Sequence, residues 1–219
     1  MWIFATRNRL ANCQRFIEQW HKTQAKSLVY VRLDECDPAL QQLKQLPWPP
    51  EFMIVVGPRT RLRGAMQEMF ERFPNESWYG LMADDFIPQT PHWDQRLIER
   101  AVPNDIAYGN DIHEKANRMC HFCIGGDLVR FVGFFGLPGV DHFGTDYIWE
   151  RIHHACNRQN KLMDVIIEHA HYNFGQSEFD QTYKESQALK AQDKAAYRAW
   201  MADNLDPLLT RIRQQFGWQ

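Results

Sequence analysis

The chain has 219 residues, the length of one domain with room for a substantial hydrophobic core. Its hydrophobic share of 44% and charged share of 24% are typical of globular proteins and exclude a disordered, collagen-like or coiled-coil chain. The formal net charge of −2 gives no general attraction to nucleic acid. Aromatic residues make up 13% of the chain, which indicates a large core, a stacking surface or both.

The sequence pattern predicts neither a signal peptide nor a transmembrane segment. Arg7 interrupts the apolar start, and the longest apolar run, over 131–140, contains glycines and a proline and is too short to cross a bilayer. The five cysteines are few and odd in number, which argues against the disulfide framework of a small secreted domain. We therefore expect a cytoplasmic protein.

Strand-like and helix-like segments alternate in the first half of the chain. Apolar runs and helical spacing predict, in order, strand 2–5, helix 9–22, strand 28–33, strand 52–56, helix 62–73 and strand 78–82. This order predicts an α/β fold with a mainly parallel sheet flanked by helices. Because ligands bind beyond the carboxyl ends of such strands, the polar residues that follow each strand are candidates for a site.

The second half is less regular, and its end differs in composition. The pattern predicts helix 92–101, strand 106–108, strand 120–124, helix 145–156 and strand 165–168. From about residue 186 the chain is rich in Ala, Lys, Gln and Arg, and Pro207 is expected to separate two helices. We expect this tail to dock on the protein's own core, with a membrane surface or self-association through its helices as alternatives.

Paired carboxylates and a pair of histidines predict a metal site. Asp84 and Asp85 follow the predicted fourth strand, and oxygen ligands of this kind suit Mg²⁺ or Mn²⁺. His169 and His171 are two residues apart at the end of a predicted strand, so both rings face the same side. The alternatives are a solvated turn or a helix cap for the aspartates, and an ordinary pair of surface or core side chains for the histidines.

Polar residues after the first two strands predict an anion-binding site. Thr6, Arg7, Asn8 and Arg9 follow the first strand and precede a helix, and both guanidinium groups and helix N-termini attract phosphates. Asp34 follows the second strand. The alternative for the first group is a helix cap at Asn8 with solvated arginines.

Other patterns are less specific. Asp146 begins a predicted helix, where it is either a general base or a favourable charge on the helix dipole. Cys120 and Cys123 form a lone CxxC, which we expect to be buried packing residues because no second pair at zinc spacing exists. No dinucleotide-binding, Walker A, zinc-protease or serine-hydrolase motif is present.

These motifs and their order resemble the GT-A glycosyltransferases, especially the family-2-like enzymes of bacteria and phages. The similarity covers residues 2–183. IFATRNR is similar to the strand and loop that open the family's nucleotide site, and LMADDFIP resembles its metal-binding aspartate motif. The resemblance makes Asp85 a metal ligand and assigns nucleotide-sugar binding to Thr6, Arg7, Asn8, Arg9, Asp34 and Asp84. The first aspartate of the metal motif is Ala83 in this chain.

Two later motifs complete the resemblance. FGTDYIWERI is similar to the region with the catalytic aspartate, which makes Asp146 the candidate base and Asp141 its competitor. VIIEHAHYNFG resembles the late histidine of the metal shell, a role that His169 or His171 could fill. The resemblance implies an enzyme that uses Mn²⁺ or Mg²⁺ to move a sugar from a UDP- or GDP-linked donor to an unidentified acceptor hydroxyl, with inversion.

The resemblance also implies a domain organisation. A glycosyltransferase domain is expected over 1–185, with a nucleotide-binding half over 1–110 and an acceptor half over 111–185, followed by a C-terminal helical extension over 186–219. Two other functions remain open, an inactive nucleotide-sugar-binding module, because Ala83 breaks the metal motif, and a metal-dependent nucleotidyltransferase. Aromatic residues of the later part are expected to stack on acceptor sugars, namely Trp93, Phe131, Phe134, Phe135, Phe143, Tyr147 and Trp149.

Overall fold

The structure is a computed structural model of the chain, and it describes residues 1–113, 118–158 and 160–219. The strands are β1 (Trp2–Thr6), β2 (Val29–Asp34), β3 (Phe52–Gly57), β4 (Trp78–Ala83), β5 (Phe86–Pro88), β6 (Ile106–Asn110), β7 (Phe122–Gly125) and β8 (Lys161–His169). The helices are α1 (Leu10–Lys22), α2 (Leu40–Lys44), α3 (Arg61–Arg72), α4 (Trp93–Ala101), α5 (Gly126–Val132), α6 (Tyr147–Ala155) and α7 (Gln181–Phe216).

The strands form one mixed sheet in the order β3-β2-β1-β4-β7-β6-β8-β5. Strands β3, β2, β1 and β4 are parallel, as the alternation of strands and helices predicts, whereas β7 runs antiparallel to both β4 and β6. The expected α/β fold with flanking helices and a helical C-terminus is therefore confirmed. The parallel strands end at one edge of the sheet, at Thr6, Asp34, Gly57 and Ala83.

The pairing of β5 with β8 brings the late histidines to the same edge. The two strands are antiparallel, in a register that places Phe86 opposite His169. The N–H of Ala170 donates to the carbonyl oxygen of Asp85 at 2.8 Å, which continues the pairing towards β4. Because Asp85 precedes β5 directly, His169 lies beside the turn that holds Asp84 and Asp85.

Tryptophan rings fill the core beside β1. The ring centroid of Trp2 lies 5.2 Å from that of Trp78 and 5.0 Å from that of Trp93, and Trp20 lies 6.0 Å from Trp93. The ring of Trp2 packs directly on β4 at Gly80, where a Cβ atom would lie only 2.1 Å from ring carbon Cε3. Glycine is required there because any side chain would displace the ring.

The C-terminal helix α7 runs unbroken through Pro207, so the expected separation into two helices is wrong. An interior proline costs about 3 kcal/mol. Leu208, Leu209 and Ile212 are buried against the core next to it, and burying each such side chain contributes about 1.5–3 kcal/mol. Packing on the core therefore outweighs the local cost of the proline, and the tail docks on the chain's own core as expected.

Helix α7 also begins earlier than the composition indicates. The Asp180 carboxylate caps the helix by accepting the N–H of Tyr183 at 2.9 Å. The helix therefore crosses the expected boundary between residues 185 and 186, and both that domain division and self-association through the tail stay predictions. Within the described ranges, no helix has the length and apolarity that a bilayer span requires.

Candidate active site

A pocket of about 430 Å³ lies at the carboxyl ends of β1, β2 and β4. Apart from Asn8, every site residue that the sequence predicts lines it, namely Thr6, Arg7, Arg9, Asp34, Asp84, Asp85, Asp146, His169 and His171. The exposed Asn8 has a left-handed backbone with φ of 53°, and its N–H donates to Oδ2 of Asp37 at 2.9 Å. Asn8 therefore shapes the loop after β1 without facing the pocket.

Asp84 is held by the last residue of β1 and by the loop that follows. Its Oδ2 accepts a hydrogen bond from Oγ1 of Thr6 at 2.6 Å, and its Oδ1 accepts one from Nη1 of Arg9 at 2.9 Å. Burial raises the pKa of Asp84, as does the neighbouring charge of Asp85, and the Arg9 guanidinium opposes the rise. The positive charge of Arg9 thus compensates the negative charge of the Asp84 carboxylate inside the pocket wall.

Asp85 is placed for metal binding. Its Oδ2 lies 3.5 Å from Nε2 of His169 and accepts a hydrogen bond from the hydroxyl of Tyr183 at 2.9 Å. Burial alone would raise the pKa of Asp85, but His169 and Arg9 hold it below its usual range. Asp85 is therefore an anion at neutral pH, with a nitrogen ligand beside it.

His171 lies next to His169 but is already engaged. The two ring centroids are 5.0 Å apart, and Nδ1 of His171 accepts the backbone N–H of Asn173 at 3.2 Å. Burial lowers the pKa of His171 to about 4, and the charge of His169 contributes, so the ring is neutral at pH 7. With Nδ1 acting as an acceptor, the proton of the neutral ring is on Nε2.

His169 also belongs to a second group of potential ligands. Asp111, Cys120 and His169 each bring a ligand atom within 4.8 Å of the others. Cys120, for which the sequence predicts a packing role, lines the pocket as well. A metal ion at His169 therefore has two candidate partners, the carboxylate of Asp85 or the Cys120 group.

A cluster of arginines and carboxylates lies at the pocket, and its members Arg7, Asp34 and Arg59 line it. Asp34 lies 3.4 Å from Nη1 of Arg7 and 3.6 Å from Nε of Arg59. Glu185 of α7 forms ion pairs with the same two arginines, at 3.6 Å from Nε of Arg7 and in direct contact with Arg59. Sequence reasoning missed Arg59 and Glu185, although Arg59 follows the Gly57-Pro58 end of β3 much as Arg7 follows β1.

Asp146 lies just before α6 and lines the same pocket. Burial raises the pKa of its carboxyl to about 6, while the Arg118 guanidinium opposes the rise. A carboxylate of this pKa is a stronger base than an ordinary aspartate and is still mostly deprotonated at pH 7. The competing Asp141 lies outside the pocket lining, is half exposed and pairs with Arg61 at 3.8 Å.

The expected stacking surface is mostly core. Four of its seven members are buried, namely Trp93, Phe134, Phe135 and Trp149. Phe131 packs on Phe216 at 5.3 Å between ring centroids. Phe143 and Tyr147 line the pocket. The stacking expectation is therefore wrong for the buried tryptophans and phenylalanines, because local sequence does not distinguish an inward ring from one that faces a pocket.

No protein-family model and no curated protein sequence matches the chain. Its structure is nevertheless similar to solved transferases. The mannosyltransferase PcManGT from Pyrobaculum calidifontis, in complex with GDP-Man and Mn²⁺, superposes with a TM-score of 0.56 and 11% identity over 96% of this chain and 67% of that one. A protein from Desulfovibrio desulfuricans G20, named as a nucleotide-diphospho-sugar transferase, superposes with a TM-score of 0.51 and 14% identity over 91% of this chain and 96% of that one.

The chain has the GT-A fold. A third structure, of GalNAc-T7 with UDP, GalNAc and Mn²⁺, matches with a TM-score of 0.51 and 11% identity over 77% of this chain. This chain spans only 42% of GalNAc-T7, so the larger protein contains regions without a counterpart here. At such low identity the likeness establishes the fold, and the chemistry has to be argued from the pocket.

Proposed function

We propose that the chain is a metal-dependent glycosyltransferase that moves a sugar from a nucleotide sugar to an acceptor hydroxyl with inversion of configuration. The observation that supports it is the meeting of three groups in one GT-A pocket: arginines after β1 and β3, a carboxylate beside an imidazole after β4 and β8, and Asp146. Transfer from a nucleoside diphosphate needs each of them, because the leaving group is an anion and the acceptor must lose a proton.

The arginine wall is the proposed site of the donor diphosphate. Arg7 and Arg59 line the pocket beside Arg9, whose guanidinium is held by Asp84 and Asp180. Guanidinium groups bind phosphate oxygens in a bidentate manner. Asp34, between Arg7 and Arg59 at the end of β2, is the proposed contact to the nucleoside. Thr6 and Asp84 hold the loop in place through the hydrogen bonds described above.

Asp85 and His169 are the proposed ligands of Mn²⁺ or Mg²⁺. Their oxygen and nitrogen atoms lie 3.5 Å apart, close enough for one ion to contact both, and a metal-binding carboxylate must be ionised, as Asp85 is. His171 fits less well because its Nδ1 already accepts a hydrogen bond. When bound, the ion offsets the negative charge of the departing diphosphate.

Asp146 is the proposed general base. It accepts the proton of the acceptor hydroxyl while the hydroxyl oxygen forms a bond to the anomeric carbon and the bond from that carbon to the diphosphate breaks. Attack on the face opposite the leaving group inverts the configuration. Arg118 keeps the raised pKa of Asp146 from rising further, so that the carboxylate stays available at neutral pH.

Thermal unfolding with nucleotides tests the donor site and the metal together. The panel contains UDP, GDP and their sugars, each with and without Mn²⁺ or Mg²⁺. A ligand present at 100 times its Kd stabilises the folded state by about 2.7 kcal/mol, which raises the Tm of a protein of this size by about 5–10 °C. We expect such a rise in Tm with the nucleotides of one nucleobase, uracil or guanine, and we expect the rise to depend on the metal.

Two variants locate the metal in the same assay. Asp85→Asn preserves the shape of the side chain and removes its charge, so we expect it to abolish the metal dependence of nucleotide binding. Cys120→Ser is the matched control, and the metal dependence should survive it. If only Cys120→Ser lost the metal dependence of nucleotide binding, the ion would belong to the Cys120 group, and the assignment to Asp85 and His169 would be wrong.

Turnover separates the proposed function from its alternatives. Release of UDP or GDP from a nucleotide sugar supports a glycosyltransferase. Stoichiometric binding without turnover would favour an inactive binding module, which the alanine at position 83 makes a specific alternative. Release of pyrophosphate from a nucleoside triphosphate would instead identify a nucleotidyltransferase.

A further inference from the structure

Near Asp146, cationic groups pack on both sides of a pair of aromatic rings, and we call this set of residues the acceptor ridge: Arg118, Tyr147, Phe143, Lys190 and Lys194. The Arg118 guanidinium lies 4.2 Å from the Tyr147 ring centroid, and that ring lies 4.9 Å from Phe143. The Nζ atoms of Lys190 and Lys194 lie 5.8 Å and 5.3 Å from the Phe143 centroid. All of the ridge except Lys194 lines the pocket.

The two lysines of the ridge present positive charge that protein carboxylates do not neutralise. Across residues 1–113, 118–158 and 160–219, neither ammonium group forms an ion pair, whereas Arg118 lies 3.6 Å from Glu150. Lys190 and Lys194 are one helical turn apart on α7 and lie over the same ring. Their like charges repel each other, so an anion bound between them would be stabilised.

A buried aspartate builds this arrangement. Asp193, 1% exposed, accepts the backbone N–H groups of Asp141, His142 and Phe143 at 2.9, 3.0 and 2.8 Å. The negative charge of Asp193 is thereby compensated by the backbone. The same bonds tie the segment before Asp146 to α7 and hold the Phe143 ring under the lysines. The ridge is thus fixed by a buried network, although two of its five residues, Lys190 and Lys194, come from the C-terminal tail.

We propose that the acceptor ridge binds the acceptor and that this acceptor is a saccharide with an anionic substituent, a phosphate or a carboxylate. This inference rests on the proposed function, because it takes Asp146 as the base that meets the acceptor hydroxyl. Aromatic rings offer a flat apolar surface to the C–H face of a sugar. The lysine ammonium groups offer charge-assisted hydrogen bonds to either anion.

Binding of simple sugars to the full chain tests the proposal without knowledge of the natural acceptor. Glucose 6-phosphate, glucuronate and glucose are titrated by calorimetry in the presence of Mg²⁺ and saturating UDP or GDP, so that the donor site is occupied. We expect at least one of the two anionic sugars to bind about tenfold or more tightly than glucose, the effect of one charge-assisted contact. Tighter binding of glucose 6-phosphate identifies a phosphate as the preferred anionic group, and tighter binding of glucuronate identifies a carboxylate.

The double variant Lys190→Gln/Lys194→Gln assigns that preference to the ridge. We expect it to bind the anionic sugars as weakly as glucose, with unchanged Tm and unchanged nucleotide affinity. Lys184→Gln, an exposed lysine of the same helix outside the pocket lining, is the matched control and should keep the preference. Equal binding of charged and neutral sugars by the wild type, or a preference that persists in the double variant, would overturn the proposal.

The two proposals fail in different ways. Lysine-dependent binding of anionic sugars by a chain that does not respond to any nucleotide would support the ridge as an anionic-sugar site and refute the glycosyltransferase function. A clear nucleotide response together with no preference for anionic sugars would refute the ridge alone.

Discussion

Replacing Asp146 by asparagine should both stabilise the protein and remove its proposed catalytic base. The asparagine keeps the size of the side chain and the oxygen that accepts backbone hydrogen bonds, and it removes the charge. A buried charge destabilises the fold, whereas the proposed reaction requires that charge. The same substitution therefore tests the burial of the carboxyl and its role.

The size of the stabilisation follows from the pKa of Asp146, which rises from an ordinary 3.8 to about 6 in the folded chain. A raised acid pKa means that the folded state binds the proton more tightly than the unfolded state does. Ionisation of Asp146 therefore lowers the free energy of unfolding, by nothing below pH 4 and by the full amount above about pH 6. The difference corresponds to up to about 3 kcal/mol at pH 8. We expect Asp146→Asn to be more stable than the wild type by up to this amount at pH 8 and equally stable at pH 3.5.

Urea unfolding between pH 3.5 and 8 measures this difference, and release of UDP or GDP from the identified donor measures turnover. The turnover of the wild type should rise with pH through about 6 and then level off. The turnover of Asp146→Asn should be about 10²–10⁴-fold lower than that of the wild type. Asp141→Asn is the control, with a free energy of unfolding within about 0.5 kcal/mol of wild type. Equal stability of Asp146→Asn and wild type at pH 8 would refute the burial argument, and unchanged turnover would refute its role as base.

Two further substitutions test the donor wall and the core. Glu185→Gln removes the carboxylate that competes with the donor diphosphate for Arg7 and Arg59. We therefore expect UDP or GDP to bind roughly threefold to tenfold more tightly by calorimetry. Equal or weaker binding would show that Glu185 does not compete. Gly80→Ala forces a Cβ into the ring of Trp2, and we expect it to lower the free energy of unfolding in urea by about 1–3 kcal/mol or more. A fully stable Gly80→Ala would mean that the Trp2 ring can move aside, which would contradict its close packing on β4.

The elements of the nucleotide-binding half could be predicted because their signals are local. Strand β1 and helix α1, for example, follow from an apolar run and a helical spacing that side-chain burial imposes on any chain. The expectation that polar residues after strands meet at one edge was equally sound, since parallel strands end together. Arg7, Asp34 and Asp85 therefore meet in one pocket.

The residues that sequence reasoning missed come from parts of the chain that dock from far away. Tyr183 donates to Asp85 across 98 residues, and Glu185 pairs with Arg7 and Arg59. Asp193, in the tail that composition set apart, holds the segment before Asp146. Nothing local marks these contacts, because they depend on where α7 packs. Its course through Pro207 was missed for the same reason, since tertiary burial outweighs a local cost.

The sequence by itself determined the α/β order, the strand-end polar residues and the motif resemblance, all of which depend on short-range periodicity and spacing. The cytoplasmic location and the identity of the donor stay predictions. The tertiary structure decided which aromatic rings face the pocket, which arginines share carboxylates, and that the C-terminal helix forms part of the site. The physical reason is that burial, pKa and charge compensation are properties of a packed environment, and that environment exists only once distant segments have docked.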